Sequence, residues 1–209
     1  ADAWTVAAQP PFVGSGGLDD VSAFSSTDIW SVGGVFTETD QVGHTLIQHF
    51  DGTSWSTVGS VGGPGDAPQS SLSGVSVVAT DDVWAIGTWF TKAFVDRTLI
   101  LHWDGVEWSV VPSPAPGGNA DLAGVAAVAP DDVWAVGGRV DRQENAIQTL
   151  VEHWDGATWS VVESANKGPS DNHLWAVTAA SGRMIAVGYR FVGSGLGSRA
   201  PLVLERCAP

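Results

Sequence analysis

The chain is expected to be all-β, assembled from four copies of one four-stranded antiparallel unit. Three observations carry that expectation. Val, Thr, Trp and Gly are abundant while Lys occurs twice in 209 residues, a balance that favours strands and turns over helices. One short motif recurs: "TDIWSVGG" from Thr27, "DDVWAIGT" from Asp81, "DDVWAVGG" from Asp131 and, in weaker form, "SGRMIAVG" from Ser181. Asp-Gly pairs recur as well, at Asp51–Gly52, Asp104–Gly105 and Asp155–Gly156, and each is a hairpin signal expected to form a type I′ turn.

Each unit can be read strand by strand. The first strand is a small apolar run: "LDDVSAFSS", "LSGVSVVAT", "LAGVAAVAP" and "HLWAVTAAS". The second carries the motif, with Asp28, Asp82, Asp132 and Arg183 spaced 54, 50 and 51 residues apart. After a variable loop the third strand reads "TLIQHF", "TLILHW", "TLVEHW" or "PLVLER", and the Asp-Gly turn then leads into a short outer strand such as "WSVV" from Trp108. A four-stranded unit repeating about every 50 residues marks a β-propeller blade.

The fourth unit stops after "PLVLERCAP" and lacks an outer strand, while "AWTVAAQP" from Ala3 looks like an outer strand with nothing before it. The expectation is therefore a single domain over residues 1–209. Its four blades lie near 18–60, 72–113, 122–164 and 173–209 plus 1–10, with the N-terminal strand closing the ring and protecting the last edge.

The pattern resembles kelch-like propeller repeats: a hydrophobic strand ending in Gly-Gly, a variable loop, and a Trp in the outer strand. Gly33–Gly34 leads to Trp55 and Gly137–Gly138 to Trp159, whereas Gly87–Thr88 and Gly188–Tyr189 depart from the doublet. The "DGxxW" turns are similar to Asp-box repeats, with Asp and Gly adjacent rather than separated, and the blade number is that of hemopexin-like rings. Kelch-like propellers include interaction modules and enzymes of the galactose oxidase type, so the resemblance implies a fold and leaves the function open.

Residues that repeat are expected to be scaffold. Nine of the eleven Trp do so: Trp30, Trp84 and Trp134 in second strands, Trp103 and Trp154 at the turns, and Trp4, Trp55, Trp108 and Trp159 in outer strands. His49, His102 and His153 precede the turns in three different blades. Side chains so spread cannot converge on one ion, so these are read as turn-stabilising residues, with Asp28, Asp82 and Asp132 as Asx-turn residues.

Departures from the repeat mark the candidate site. Aligned on the first strand, His173 falls where the other units have Leu18, Leu72 and Leu122, and Trp175 where they have Asp20, Gly74 and Gly124. After the motif glycine the fourth unit has Tyr189, the sole Tyr, and Arg190. His173, Trp175, Tyr189, Arg190, Trp89 and Arg139 are expected at one channel mouth with Asp19, Asp20, Asp121 and Asp171. The loops between second and third strands hold six of the nine cations, namely Lys92, Arg97, Arg139, Arg142, Arg190 and Arg199, against five acids including Asp40. That face is locally neutral to positive on a protein of net charge −14.

The global acidity argues against nucleic acid and anionic membranes. No apolar run approaches the ~20 residues of a membrane-spanning helix. Acidity, few Lys and many Trp suggest an exported bacterial protein, and a start at Ala1 fits a processed form. The single Cys207 has no internal partner for a disulfide. "GSGLGSR" from Gly193 lies between strands without the helix a phosphate loop requires.

The expected function is that of an exported monomer without cofactor that binds a carbohydrate or another small ligand, whether neutral or anionic. Trp89 and Trp175 would stack on sugar faces, and Arg97, Arg139, Arg190, Asp20, Asp121 and Asp171 would hold polar groups. One alternative is a polysaccharide lyase or glycoside hydrolase on acidic sugars, with His173 or Tyr189 as base. Another is a protein-interaction scaffold. Ca²⁺ at an aspartate-lined channel mouth ranks last.

Overall fold

The structure is a computed structural model describing residues 3–11, 13–39, 41–59, 61–64, 67–114, 118–168, 170–180, 182–192 and 197–207, with the side chains of Ala180 and Cys207 left out. Asp40 and residues 193–196 of the Gly-rich segment thus lie outside the described residues. Fifteen strands form, and among the described residues there is no helix.

The strands make four antiparallel units in chain order. Unit one is β1 (Ser15–Ser25), β2 (Asp28–Thr37), β3 (Val42–Phe50) and β4 (Trp55–Val58). Unit two is β5 (Gln69–Ala79), β6 (Asp82–Phe90), β7 (Asp96–Trp103) and β8 (Trp108–Val110). Unit three is β9 (Ala120–Ala129), β10 (Asp132–Asp141), β11 (Ala146–Trp154) and β12 (Trp159–Val161). Unit four has three strands, β13 (Asn172–Ala180), β14 (Arg183–Val192) and β15 (Ser198–Cys207). A lone parallel bridge from Gly43 to Gln69 joins the first two units edge to edge.

The hydrophobic core lies between units. Trp30, Val32 and Ile47 of unit one meet Leu72, Val75, Val83, Ala85, Leu99, Leu101 and Trp108 of unit two. At the next junction Trp84, Ile86 and Ile100 meet the corresponding face of unit three, including Leu122, Leu150 and Trp159. The third junction is thinner, with Val136 against Leu174, Ala186 and Leu202. Each unit therefore has two apolar faces of different composition, one for its predecessor and one for its successor.

The repeated residues have local reasons. A Cβ on Gly33, Gly87, Gly137 or Gly188 would stand 2.0, 2.0, 2.0 or 1.9 Å from a carbonyl oxygen of the neighbouring inner strand, so only glycine permits that close approach. Trp30, Trp84 and Trp134 lie over His49, His102 and His153 at ring distances of 4.3, 4.3 and 4.1 Å. Those His Nε2 atoms bond Asp28, Asp82 and Asp132 Oδ1 at 2.8, 2.9 and 2.9 Å, so these aspartates orient a histidine rather than form the expected Asx-turns.

The Asp-Gly turns also differ from the expected type I′. Gly52, Gly105 and Gly156 have φ of 91, 92 and 90°, and the preceding aspartates do not have positive φ. Each Asp Oδ1 accepts the backbone N–H groups two and three residues on, at 2.8–2.9 Å, so a side-chain cap shapes the turn.

Two further expectations change. Leu174, not His173, pairs across from the motif glycine as Leu18, Leu72 and Leu122 do, so His173 matches Ser71 and Asp121. Asp19, Ser73, Ala123 and Trp175 are then the bulged residues of the four inner strands, and Trp175 does not match Asp20. The first three inner strands hold a second bulge at Phe24, Val78 and Val128 that β13 lacks, which displaces a linear alignment by one residue.

The arrangement is propeller-like, but no closed ring is found among the described residues. Inner strands β1, β5, β9 and β13 pack successively, and among the described residues β13 does not pack on β1 to a comparable extent. Residues 3–11 form no strand, and Trp4 is 104% exposed.

Candidate functional site

Between units two and three, at the end where second strands turn into third strands, the chain forms a cavity of about 630 Å³. It is lined by Arg97, Gly118, Arg139, Val140, Asp141, Arg142 and Gln143. Arg97 lies near the start of β7, Arg139 near the end of β10, and Arg142 in the β10–β11 hairpin, so all three come from the same end of their units. Arg97 is held in place, since its Nη1 donates to the Gly118 carbonyl.

Asp141 is the sole acid in the lining and is committed locally. Its Oδ1 accepts the Gln143 and Glu144 N–H groups at 2.7 and 3.2 Å, and these bonds hold its carboxyl below the usual carboxylate range. Three guanidinium groups thus face one carboxylate. Planar forks in such a recess suit a carboxylate, sulfate or phosphate.

A second cluster sits on unit four. Tyr189 lies 5.0 Å from Trp175, 5.5 Å from Phe191 and 5.9 Å from His173, ring to ring. The Arg199 guanidinium stands over Tyr189 at 4.3 Å, with Phe191 and Trp175 at 5.5 and 5.8 Å. Arg190, half-buried beside Tyr189, lies on β14 at the position Arg139 takes on β10, away from the arginine cavity.

Several of the other expected site residues make contacts that join the units. Asp20 Oδ2 accepts the Val75 N–H at 2.9 Å and clamps unit one to unit two. Asp171 Oδ1 accepts the Ile147 N–H at 2.8 Å, joining unit four to unit three. Asp121 Oδ2 bonds His173 Nε2 at 2.8 Å across the same junction. Nδ1 of His173 is buried and has no hydrogen-bond partner among the described residues, so neither ring nitrogen is presented to a ligand. Trp89 is half-buried, packs on the first core cluster, and lies so close to Gly63 that a Cβ there would come within 2.5 Å. It is a packing residue.

A cavity of about 710 Å³ lies along the inner strands, lined by Asp19, Asp20, Ser22, Ser73, Ser76 and Trp175 among others, with Asp121 and Asp171 elsewhere. No cluster of three or more His, Cys, Asp or Glu suited to a metal occurs among the described residues. Arg142 and Arg199 entered the sequence reading only as loop cations. Their roles follow from the hairpin register, and counting charges cannot supply that.

These features define a propeller-like all-β architecture with an arginine-lined recess, and comparison with solved structures agrees on the fold. A protein of unknown function from Dyadobacter fermentans superposes with a TM-score of 0.57 at 16% identity over 86% of this chain. The phage phi92 endosialidase does so with a TM-score of 0.59 at 9% identity over 92%. This chain spans 50% of the first and 36% of the second. No protein-family model and no curated protein matches the chain.

Proposed function

We propose that the chain is an exported, ligand-binding propeller that takes an acidic carbohydrate in the recess between its second and third blades. The observation that carries this is the meeting of Arg97, Arg139 and Arg142 in one cavity of a protein whose net charge is −14. In so acidic a chain, three arginines facing one capped aspartate are a local inversion of charge. An anionic group is the ligand part that such an inversion selects. The fourth blade is completed, in this reading, by the "AWTVAAQP" segment, whose Trp4 would supply the outer-strand tryptophan that Trp55, Trp108 and Trp159 provide in the other three.

The test is isothermal titration with galacturonic-acid oligomers beside neutral galactose oligomers of equal length. Saturable heat at one site per chain is expected for the acidic series alone, weakening as salt is raised. Arg139→Ala should weaken binding at least tenfold, equivalent to about 1.4 kcal/mol. Equal heats for both series, or none for either, would sink the proposal.

A further inference from the structure

Three hairpins that join second to third strands hold a non-glycine residue at positive φ: Gln41 at 56°, Phe94 at 55° and Asn145 at 50°. They stand at equivalent places, one residue before Val42, Val95 and Ala146. In unit two the Thr91 N–H donates to the Val95 carbonyl at 3.0 Å, and the Phe94 N–H donates to the Thr91 carbonyl at 2.8 Å. The Val95 N–H donates to Thr91 Oγ1 at 3.1 Å, so three bonds hold the left-handed residue in a closed turn. Such a position suits Gly or Asn, because Cβ crowds the backbone of any other residue there. Asn145 obeys that rule, and the bulky Phe94 breaks it.

The strained backbone works against folding, and the Phe94 ring gains little from burial to offset it, being 82% exposed. Its counterparts Gln41 and Asn145 are exposed too, but they are polar. The location of the ring gives it a use. Arg97 of the recess follows Phe94 by three residues, so their Cα atoms are no more than about 11 Å apart. The β6–β7 hairpin therefore stands at the rim of the cavity that Arg97, Arg139 and Arg142 line. Phe94 itself is not part of that lining, so a sugar acid seated inside leaves the ring free. Only the neighbouring residue of a longer chain reaches it.

We propose that Phe94 is the stacking platform of a second subsite, at the rim of the arginine recess, which takes the sugar next to the acidic one. This rests on the reading of the recess as an acidic-carbohydrate site. An aromatic face packs on the C–H groups of a pyranose ring, while guanidinium forks take the carboxylate of its neighbour. The closed turn fixes the ring before the ligand arrives, so little ordering is lost on binding. The platform sets a preference for chain length, and the arginines set the preference for charge.

The test is titration of trigalacturonic acid and of monomeric galacturonic acid into wild type, Phe94→Asn, Phe94→Trp and Arg139→Ala. Phe94→Asn relieves the left-handed strain, so its thermal midpoint should rise, which separates lost binding from lost folding. It should weaken trimer binding about fivefold and leave the monomer unchanged. Phe94→Trp should keep the trimer affinity, and Arg139→Ala should weaken both sugars. Trimer affinity untouched by Phe94→Asn but lowered by Arg139→Ala would overturn the subsite and leave the recess reading standing. Equal weakening of both sugars by Phe94→Asn would overturn it as well, since the ring would then serve the recess itself. No binding of either sugar by wild type would overturn both readings.

Discussion

Glu152 occupies the place that Gln48 and Leu101 hold in the first two units, and it is fully buried. Ser113 donates to its two oxygens at 3.2 and 2.9 Å, yet burial dominates and raises its pKa from 4.5 to about 7. The folded protein thus binds this proton more tightly than the unfolded chain does. Its contribution is intact below pH 4.5 and is lost as pH rises through about 7. The full gap corresponds to about 3 kcal/mol. Glu152→Gln is therefore expected to raise the thermal midpoint above pH 7, with the gain vanishing near pH 4.5. A constant gain across that range in calorimetric melts would show that ionisation is not the cause.

Single strands and turns show what a linear pattern can carry. The aspartate and glycine of each turn stand at fixed spacing before a tryptophan, so the turn was legible; its type was not, because the capping bonds come from a side chain. Gly105 combines φ of 92° with a would-be Cβ contact of 2.8 Å to Asp81. Gly105→Ala should cost more than about 1 kcal/mol in urea unfolding, whereas Gly59→Ala, with open space around it, should be near neutral. Inter-unit packing is legible for Trp30, which meets Trp103 and Trp108 at 5.2 and 5.3 Å, but not for Trp4, which is exposed, or Trp55, whose ring lies against Phe50 of its own unit. A β-bulge has no sequence period of its own. The absent second bulge of β13 therefore shifts His173 and Trp175 by one place in a linear alignment, so the residues each departs from are Gly17, Ser71 and Asp121 for His173 and Asp19, Ser73 and Ala123 for Trp175. The arginine recess is half legible, as Arg97 and Arg139, because the packing of unit two on unit three, which no linear spacing records, sets Arg142 of the hairpin beside them.

Across the described residues, each unit packs mainly on its neighbours, so stability is largely a chain of nearest-neighbour terms. The junction between units three and four has the smallest buried cluster, and Arg206 stands over Trp134 at 4.6 Å where the two preceding junctions have a tryptophan. Amides of β14 should therefore exchange with solvent faster than those of β6, approaching the rate of a local opening. Equal protection of β6 and β14 would mean that the arc unfolds as one block.

Gly138 lies so close to His173 that a Cβ there would come within 2.4 Å of the imidazole, which bears on how the repeats are ordered. The four repeats look interchangeable, and a gene built by duplication could be expected to tolerate their shuffling. It would not. Were unit four moved to follow unit two, His173 would meet the side chain of Thr88 in place of Gly138, in a space that is already tight against glycine. The seams act as addresses, and the order of the repeats is written into side-chain volume.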